Sequence, residues 1–168
     1  MNNSAISIPL SKTGKYAGMY TAIVDECDSD LALLNWTVRK KPHTEYALRG
    51  TSQNKKILLH RAIMERILKR ELEVDEQVDH INGCGLDNRR CNLRLATYAQ
   101  NSMNKGMRKD NSSGYKGVFW NKKIKKFTAS IKVNRKSQYL GAYDTEIEAH
   151  AAYCEAAKLY FGEFARYE

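Results

Sequence analysis

The stretch Asp79-His80-Ile81-Asn82-Gly83-Cys84-Gly85-Leu86-Asp87-Asn88-Arg89-Arg90-Cys91-Asn92-Leu93-Arg94-Leu95-Ala96-Thr97-Tyr98-Ala99-Gln100-Asn101 decides the fold of the middle of the chain. Gly83, Gly85 and Asp87-Asn88 favour tight turns over regular structure, so Val78 to Leu95 reads as a hairpin or Ω-like loop. Ala96 to Met103 follows with good helix formers and places Asn101 and Asn104 on one helix face. The predicted order is strand, loop, strand, helix. Asp79 and Asn101 can offer oxygen to a hard cation such as Mg²⁺, and His80 can take a proton near neutral pH. Hydrolysis of a phosphodiester needs a nucleophilic water, a group to take its proton, and positive charge at the phosphate. Asn104 rivals Asn101 as the second oxygen donor, and spacing alone separates them.

Upstream, Ile57, Leu58 and Leu59 form a compact apolar run, and Ala62, Ile63, Ile67 and Leu68 then recur at helical spacing, which predicts a strand running into a helix. His60, between Leu59 and Arg61, reads as a packing or hydrogen-bonded histidine. Residues 1–55 alternate short apolar runs with turn signals, and short strands fit them best. Asp28 to Trp36 is a short helix capped by Asp28 or Ser29. Trp36 is a core anchor, and Arg39-Lys40-Lys41 reads as a solvated cluster.

Downstream, residues 105–113 are polar, basic and without periodicity, as a linker would be. Three short strand-like runs follow, near 115–120, 127–133 and 137–141. Thr145 and Glu148 then make a capping box, and Ile147, Ala151, Ala152, Ala156 and Tyr160 mark the apolar face of a helix that stops at Gly162. The C-terminal part is therefore a three-stranded antiparallel sheet with one helix across its back.

Composition supplies the partner. Lys+Arg 28 against Asp+Glu 19 gives a formal charge of +9, which favours a polyanion such as nucleic acid. Between Lys105 and Lys136 there are eleven Lys or Arg against one acid, Asp110, and Tyr115, Phe119, Trp120, Phe127 and Tyr139 are interleaved with them. A basic, aromatic sheet face suits a β-sheet reader in a DNA groove. No stretch approaches a membrane span, and Met1 to Ala5 lacks the start of a signal peptide, so a cytoplasmic protein is expected, with no membrane or protein partner. The four cysteines, Cys27, Cys84, Cys91 and Cys154, form no Cys-x-x-Cys pair and read as free thiols.

Two resemblances extend this reading. The frame Val78-Asp79-His80-Ile81-Asn82-Gly83, Leu86-Asp87-Asn88-Arg89 and Asn92-Leu93-Arg94 resembles the HNH endonuclease family, specifically its phage and intron homing-type branch, over about Leu59 to Asn104. That resemblance implies a ββα-metal fold, with His80 as general base, Asp79 and Asn101 as ligands of one Mg²⁺ or Mn²⁺ ion, and Asn92 bracing the hairpin loop. The frame Ser113-Gly114-Tyr115-Lys116-Gly117-Val118, with Lys126 to Ile131, Tyr139 to Tyr143 and Glu148 to Tyr153, resembles the APETALA/ethylene-response-factor DNA-binding domain. It implies a sheet in the major groove of double-stranded DNA, with contacts from Lys116, Phe119, Asn121, Ser130, Lys132, Ser137 and Tyr139. Lys116 and Lys132 lead that set, and Phe119 alternates between contact and core.

The expected fold class is α+β: a strand-rich region over 1–55, an HNH module over 56–105, a basic linker over 106–112 and a DNA-binding domain over 113–168. The expected function is a metal-dependent DNA endonuclease. A DNA-binding regulator with a decayed nuclease module is the alternative, and an RNA nuclease a third possibility.

Overall fold

A computed structural model of the chain describes residues 4–107 and 110–168. Arg108 and Lys109 of the expected linker and basic run, and Met1 to Asn3 of the N-terminal reading, lie outside the described residues. The chain divides into two compact units, residues 1–98 and 99–168. The class is α+β, built from small antiparallel sheets and short helices.

In the first unit β1 (Ala5–Leu10) pairs with β2 (Tyr20–Asp25). Alternation buries Ile8, Leu10, Ala22 and Val24 on one face. Pro9 is tolerated because β1 pairs on one side alone, so its missing N–H costs no ladder bond. A second sheet runs in the order β3 (Thr37–Lys40), β4 (Glu45–Gly50), β5 (Lys56–Leu58). The chain passes from β5 directly into α1 (Leu59–Leu68), whose Leu59, His60, Ile63 and Met64 recur at helical spacing and are buried. A third, two-stranded sheet pairs β6 (Gln77–His80) with β7 (Leu93–Ala96). One apolar core takes in Ile8, Val24, Leu31, Trp36, Ala47, Ile63, Val78 and Leu93. It therefore joins the N-terminal strands to the helix and hairpin across position 55.

One local expectation changes. Residues Glu26–Leu33 form 3₁₀ turns with non-helical backbone at Asp28, and neither Asp28 nor Ser29 caps them. The Asp28 carboxylate is fully buried and is drawn away from a cap by two guanidinium groups: Arg90 reaches it at 2.8 and 3.0 Å and Arg66 at 3.3 Å. Trp36 is buried as expected and donates its indole N–H to the Leu31 carbonyl at 2.8 Å.

A short helix, α2 (Tyr98–Met103), runs across the boundary at residue 98, and the second unit continues with the sheet β8 (Val118–Asn121), β9 (Lys126–Val133), β10 (Lys136–Tyr143), with β9 central. The helix α3 (Glu146–Phe161) packs across it through Ala149, Tyr153, Ala156 and Ala157 against Val118, Ala129 and Ile131. Its capping box is fully formed, with Thr145 Oγ1 accepting the Glu148 N–H at 3.2 Å and Glu148 accepting the Thr145 N–H at 3.1 Å. Small helix residues let Tyr153 approach Gly117 so closely that a Cβ at position 117, which also has φ 76°, would enter the ring. The four cysteines are free thiols.

Candidate active site

His80 closes β6, and its register partner is Leu93. The twelve residues between the two strands are folded by their own polar side chains. Asn92 holds both ends of the loop: its side-chain oxygen accepts the Asn82 N–H at 3.0 Å, while its amide donates to Asn82 Oδ1 at 3.0 Å and to the Asp87 carbonyl at 2.7 Å. Its own carbonyl accepts the Ile81 N–H at 2.9 Å. Arg89 closes a bidentate pair on Asp87 at 2.8 and 2.7 Å. The guanidinium holds that carboxyl below the usual aspartate range even though burial opposes it.

The N-terminal strands grip the same loop. Ile23 forms a parallel bridge to Asp87, with the Ile23 N–H donating to the Leu86 carbonyl at 2.8 Å and the Asn88 N–H donating to the Ile23 carbonyl at 2.7 Å. Asp25 accepts the Arg90 N–H at 2.7 Å. Thr44 Oγ1 accepts the Gly85 N–H at 2.8 Å, and a Cβ at Gly85 would run into the Glu45 carbonyl and the Tyr46 ring. Gly85 is needed because two backbones meet there.

Within this frame His80 is buried, and its ring sits among three side chains. Asn88, which is fully buried, donates its amide to the Leu86 carbonyl at 3.0 Å and so turns Oδ1 toward His80 Nε2 at 3.4 Å. An amide oxygen can only accept, so this contact calls for the proton on Nε2 and puts the basic lone pair on Nδ1. The His60 ring stands edge-on at 5.0 Å and 87°, and the Tyr46 ring lies 5.9 Å away. Burial pulls His80 below the ordinary histidine value, while Asn88, Asp79 and Asp87 pull the other way. His60 is buried as well: desolvation, then the charges of His80 and Arg61, push it down to about 3, and among the described residues no group bonds its Nδ1. It stays a neutral wall of the site.

Asp79 precedes His80 and is buried, with Oδ2 receiving the Arg94 guanidinium at 2.9 and 2.8 Å. Arg94 is its direct partner across the ladder. Among the described residues no three His, Cys, Asp or Glu side chains gather as a metal cage. The Asp79 carboxylate is a hard oxygen donor, of the kind that would suit a divalent ion keeping several of its waters. Asn101 lies within α2, half-buried, and Asn104 is buried just beyond it; both belong to the second unit.

The residues expected to meet DNA are sorted by the register of the second unit. Phe119 pairs with Thr128, Asn121 with Lys126, Ser130 with Tyr139 and Lys132 with Ser137. Cross-strand partners share a face, so Phe119, Asn121, Ser130, Lys132, Ser137 and Tyr139 all lie on the side opposite α3. Phe119 and Tyr139 are 47% and 66% exposed, which places Phe119 outside the core. Lys116 differs. It precedes β8, and its Nζ donates to the Arg166 carbonyl at 2.8 Å and the Met103 carbonyl at 3.4 Å. Burial, then the Arg166 charge, lowers it to about 8.

Two features of the site lay beyond sequence reasoning. Tyr46 reaches His80 from a strand far upstream, and nothing in its neighbours marks it. Asn88 is legible as a turn residue, but its contact with His80 depends on how the loop closes.

A ββα hairpin-and-helix order with a histidine ending the first strand, followed by a sheet backed by one helix, defines a two-part nuclease-type architecture. Comparison with known proteins agrees. The HNH endonuclease family profile matches residues 58–103 and the AP2 domain profile matches residues 113–163. An uncharacterized HNH endonuclease, L560, of Acanthamoeba polyphaga mimivirus is 39% identical over 112 residues, 66% of this chain and 56% of that protein. Protein 3.8 of Escherichia phage T7 is 32% identical over 90 residues, 54% of this chain and 74% of that protein. The chain thus spans a little over half the length of the mimivirus relative. No solved structure matches. The chain carries an HNH endonuclease module over residues 58–103 and an AP2 domain over residues 113–163.

Proposed function

We propose that the chain is a metal-dependent DNA endonuclease of the homing type, in which residues 56–105 cut, 106–112 link and 113–168 supply the address. The observation that carries this reading is the setting of His80: a buried imidazole at a strand end, beside the Asp79 carboxylate, with Asn88 on Nε2. His80 Nδ1 takes the proton of the attacking water. Asn92 keeps the loop in the shape that holds His80 and Asn88 together. Asp79 and Asn101 would hold a Mg²⁺ or Mn²⁺ ion, which when bound supplies positive charge to the phosphate and the leaving oxygen. Phe119, Asn121, Ser130, Lys132, Ser137 and Tyr139 meet duplex DNA, and the chain acts in the cytoplasm. Among the described residues no helix is long and apolar enough to cross a membrane.

A supercoiled plasmid with Mg²⁺ or Mn²⁺ tests the reading. The chain is expected to nick or linearise it, EDTA to stop it, and His80→Ala to reduce the rate by at least about 100-fold. Equal rates for the two proteins on every substrate, including the native locus, would sink it. The alternative, a DNA-binding regulator that does not cut, is favoured by one contact, the Arg94 guanidinium already on Asp79. Tight duplex binding insensitive to EDTA, without cleavage, would select it.

A further inference from the structure

Residues 4–57 lie upstream of both family matches. Within them, two adjacent cations leave one strand on opposite faces. Arg39 is paired in register with Tyr46, and Lys40 with Glu45, and directly opposed residues of an antiparallel ladder share a face. The Tyr46 ring packs 5.3 Å from His60 and 5.9 Å from His80, so Arg39 is on the face turned to the candidate base. Lys40 goes the other way: its Nζ lies 5.5 Å over the Tyr16 ring and 5.6 Å over the Tyr20 ring, and the acid Glu45 is its cross-strand partner.

Arg39 is exposed on the edge strand β3, and among the described residues no carboxylate pairs with it. The turn after β3 is tied to the nuclease loop. Lys41 N–H donates to the Thr44 carbonyl at 3.0 Å, and Thr44 in turn accepts the Gly85 N–H at 2.8 Å. The exposed Lys41 and His43 therefore ride on a turn fixed to the loop that shapes the site. An exposed guanidinium is the group best matched to a phosphate, because its planar fork donates two parallel hydrogen bonds and never loses its charge.

We propose that Arg39, with Lys41 and His43 on the adjoining turn, forms a second phosphodiester-binding surface at the rim of the candidate active site. It holds the backbone of the strand being cut. Contacts to phosphate carry no base information, so this surface is indifferent to sequence. The proposal rests on His80 as the base, and it extends that reading by giving the N-terminal sheet a task.

Arg39→Gln and Lys40→Gln in the full chain form a matched pair, each losing one surface cation from neighbouring positions. Binding to a random-sequence duplex is measured in EDTA over a salt series, and kcat/KM on plasmid with Mg²⁺. Arg39→Gln is expected to lose about tenfold in affinity and in kcat/KM and to flatten the salt slope by about one. Lys40→Gln should stay within about twofold of the parent, and Arg39→Lys should recover the salt slope because it restores the charge. Equal losses in both Gln variants, or none in either, would overturn the proposal. The EDTA binding data do not depend on cutting. If His80→Ala cuts like the parent while Arg39→Gln alone binds weakly, the nuclease reading fails and the phosphate surface stands.

Discussion

Asn88 governs His80 through one atom. Its amide is committed to the Leu86 carbonyl, so its oxygen faces Nε2. Asn88→Ala removes the acceptor and lets the imidazole place its proton on either nitrogen. We expect kcat to fall about 10- to 100-fold with KM little changed, as for other residues that orient a catalytic histidine. Nitrogen NMR of the His80 ring should show an Nε2–H tautomer in the parent and a mixture in the variant. A parent ring protonated on Nδ1 would refute the assignment. Sequence made Asp79, His80 and Asn92 legible because they crowd into one short stretch of the chain. It left Tyr46 and the Asn88 contact invisible because both depend on loop closure rather than spacing.

Elements meet through charge in the first unit. Asp28 lies in the 3₁₀ turns after β2 and receives Arg66 from α1 and Arg90 from the loop before β7. Burial alone would raise its carboxyl, but the two guanidinium groups outweigh it and hold the pKa below the ordinary 3.8. The depressed folded value means that this carboxylate stabilises the fold at all pH above the unfolded value, and that the contribution is lost as pH falls through the folded value. Asp28→Ala is expected to cost about 2–4 kcal/mol at neutral pH. The gap between variant and parent should then shrink below about pH 4, measurable by urea unfolding at each pH. A gap constant down to acid would show that packing, not charge, sets the loss. The strands and the capped helix α3 were readable from alternation and from Thr145 with Glu148. The 3₁₀ turns were not, because the Asp28 side chain looks like a cap until its distant arginines are in view.

On the scale of the whole chain, the two lysines that lead the expected DNA contacts sit in different settings. Lys132 lies exposed on the free sheet face, and Lys116 lies inside the second unit with its ammonium on two carbonyls. Lys132→Gln is expected to weaken duplex binding and to lower the salt slope by about one, while leaving the rate at saturating DNA unchanged. Lys116→Gln should instead lower the melting temperature of the protein, because two backbone carbonyls lose their donor. If Lys116→Gln flattens the salt slope as Lys132→Gln does, both lysines touch phosphate. The resemblance to the APETALA/ethylene-response-factor domain implied both lysines as contacts, and the register and the Arg166 contact tell them apart.

The grip of the N-terminal strands on the nuclease loop also sets a folding order. The Arg90 N–H finds Asp25 across 65 positions, and the Arg90 side chain finds Asp28 across 62. Contacts of such separation form late, since the chain entropy of closing a long loop is lost before the contact rewards it. The grip of the upstream strands on the loop around His80 is therefore expected to complete after the loop's own local bonds have formed. A fragment beginning at residue 56 would carry every residue of the motif and still lack Ile23, Asp25 and Thr44, the upstream partners that grip its loop.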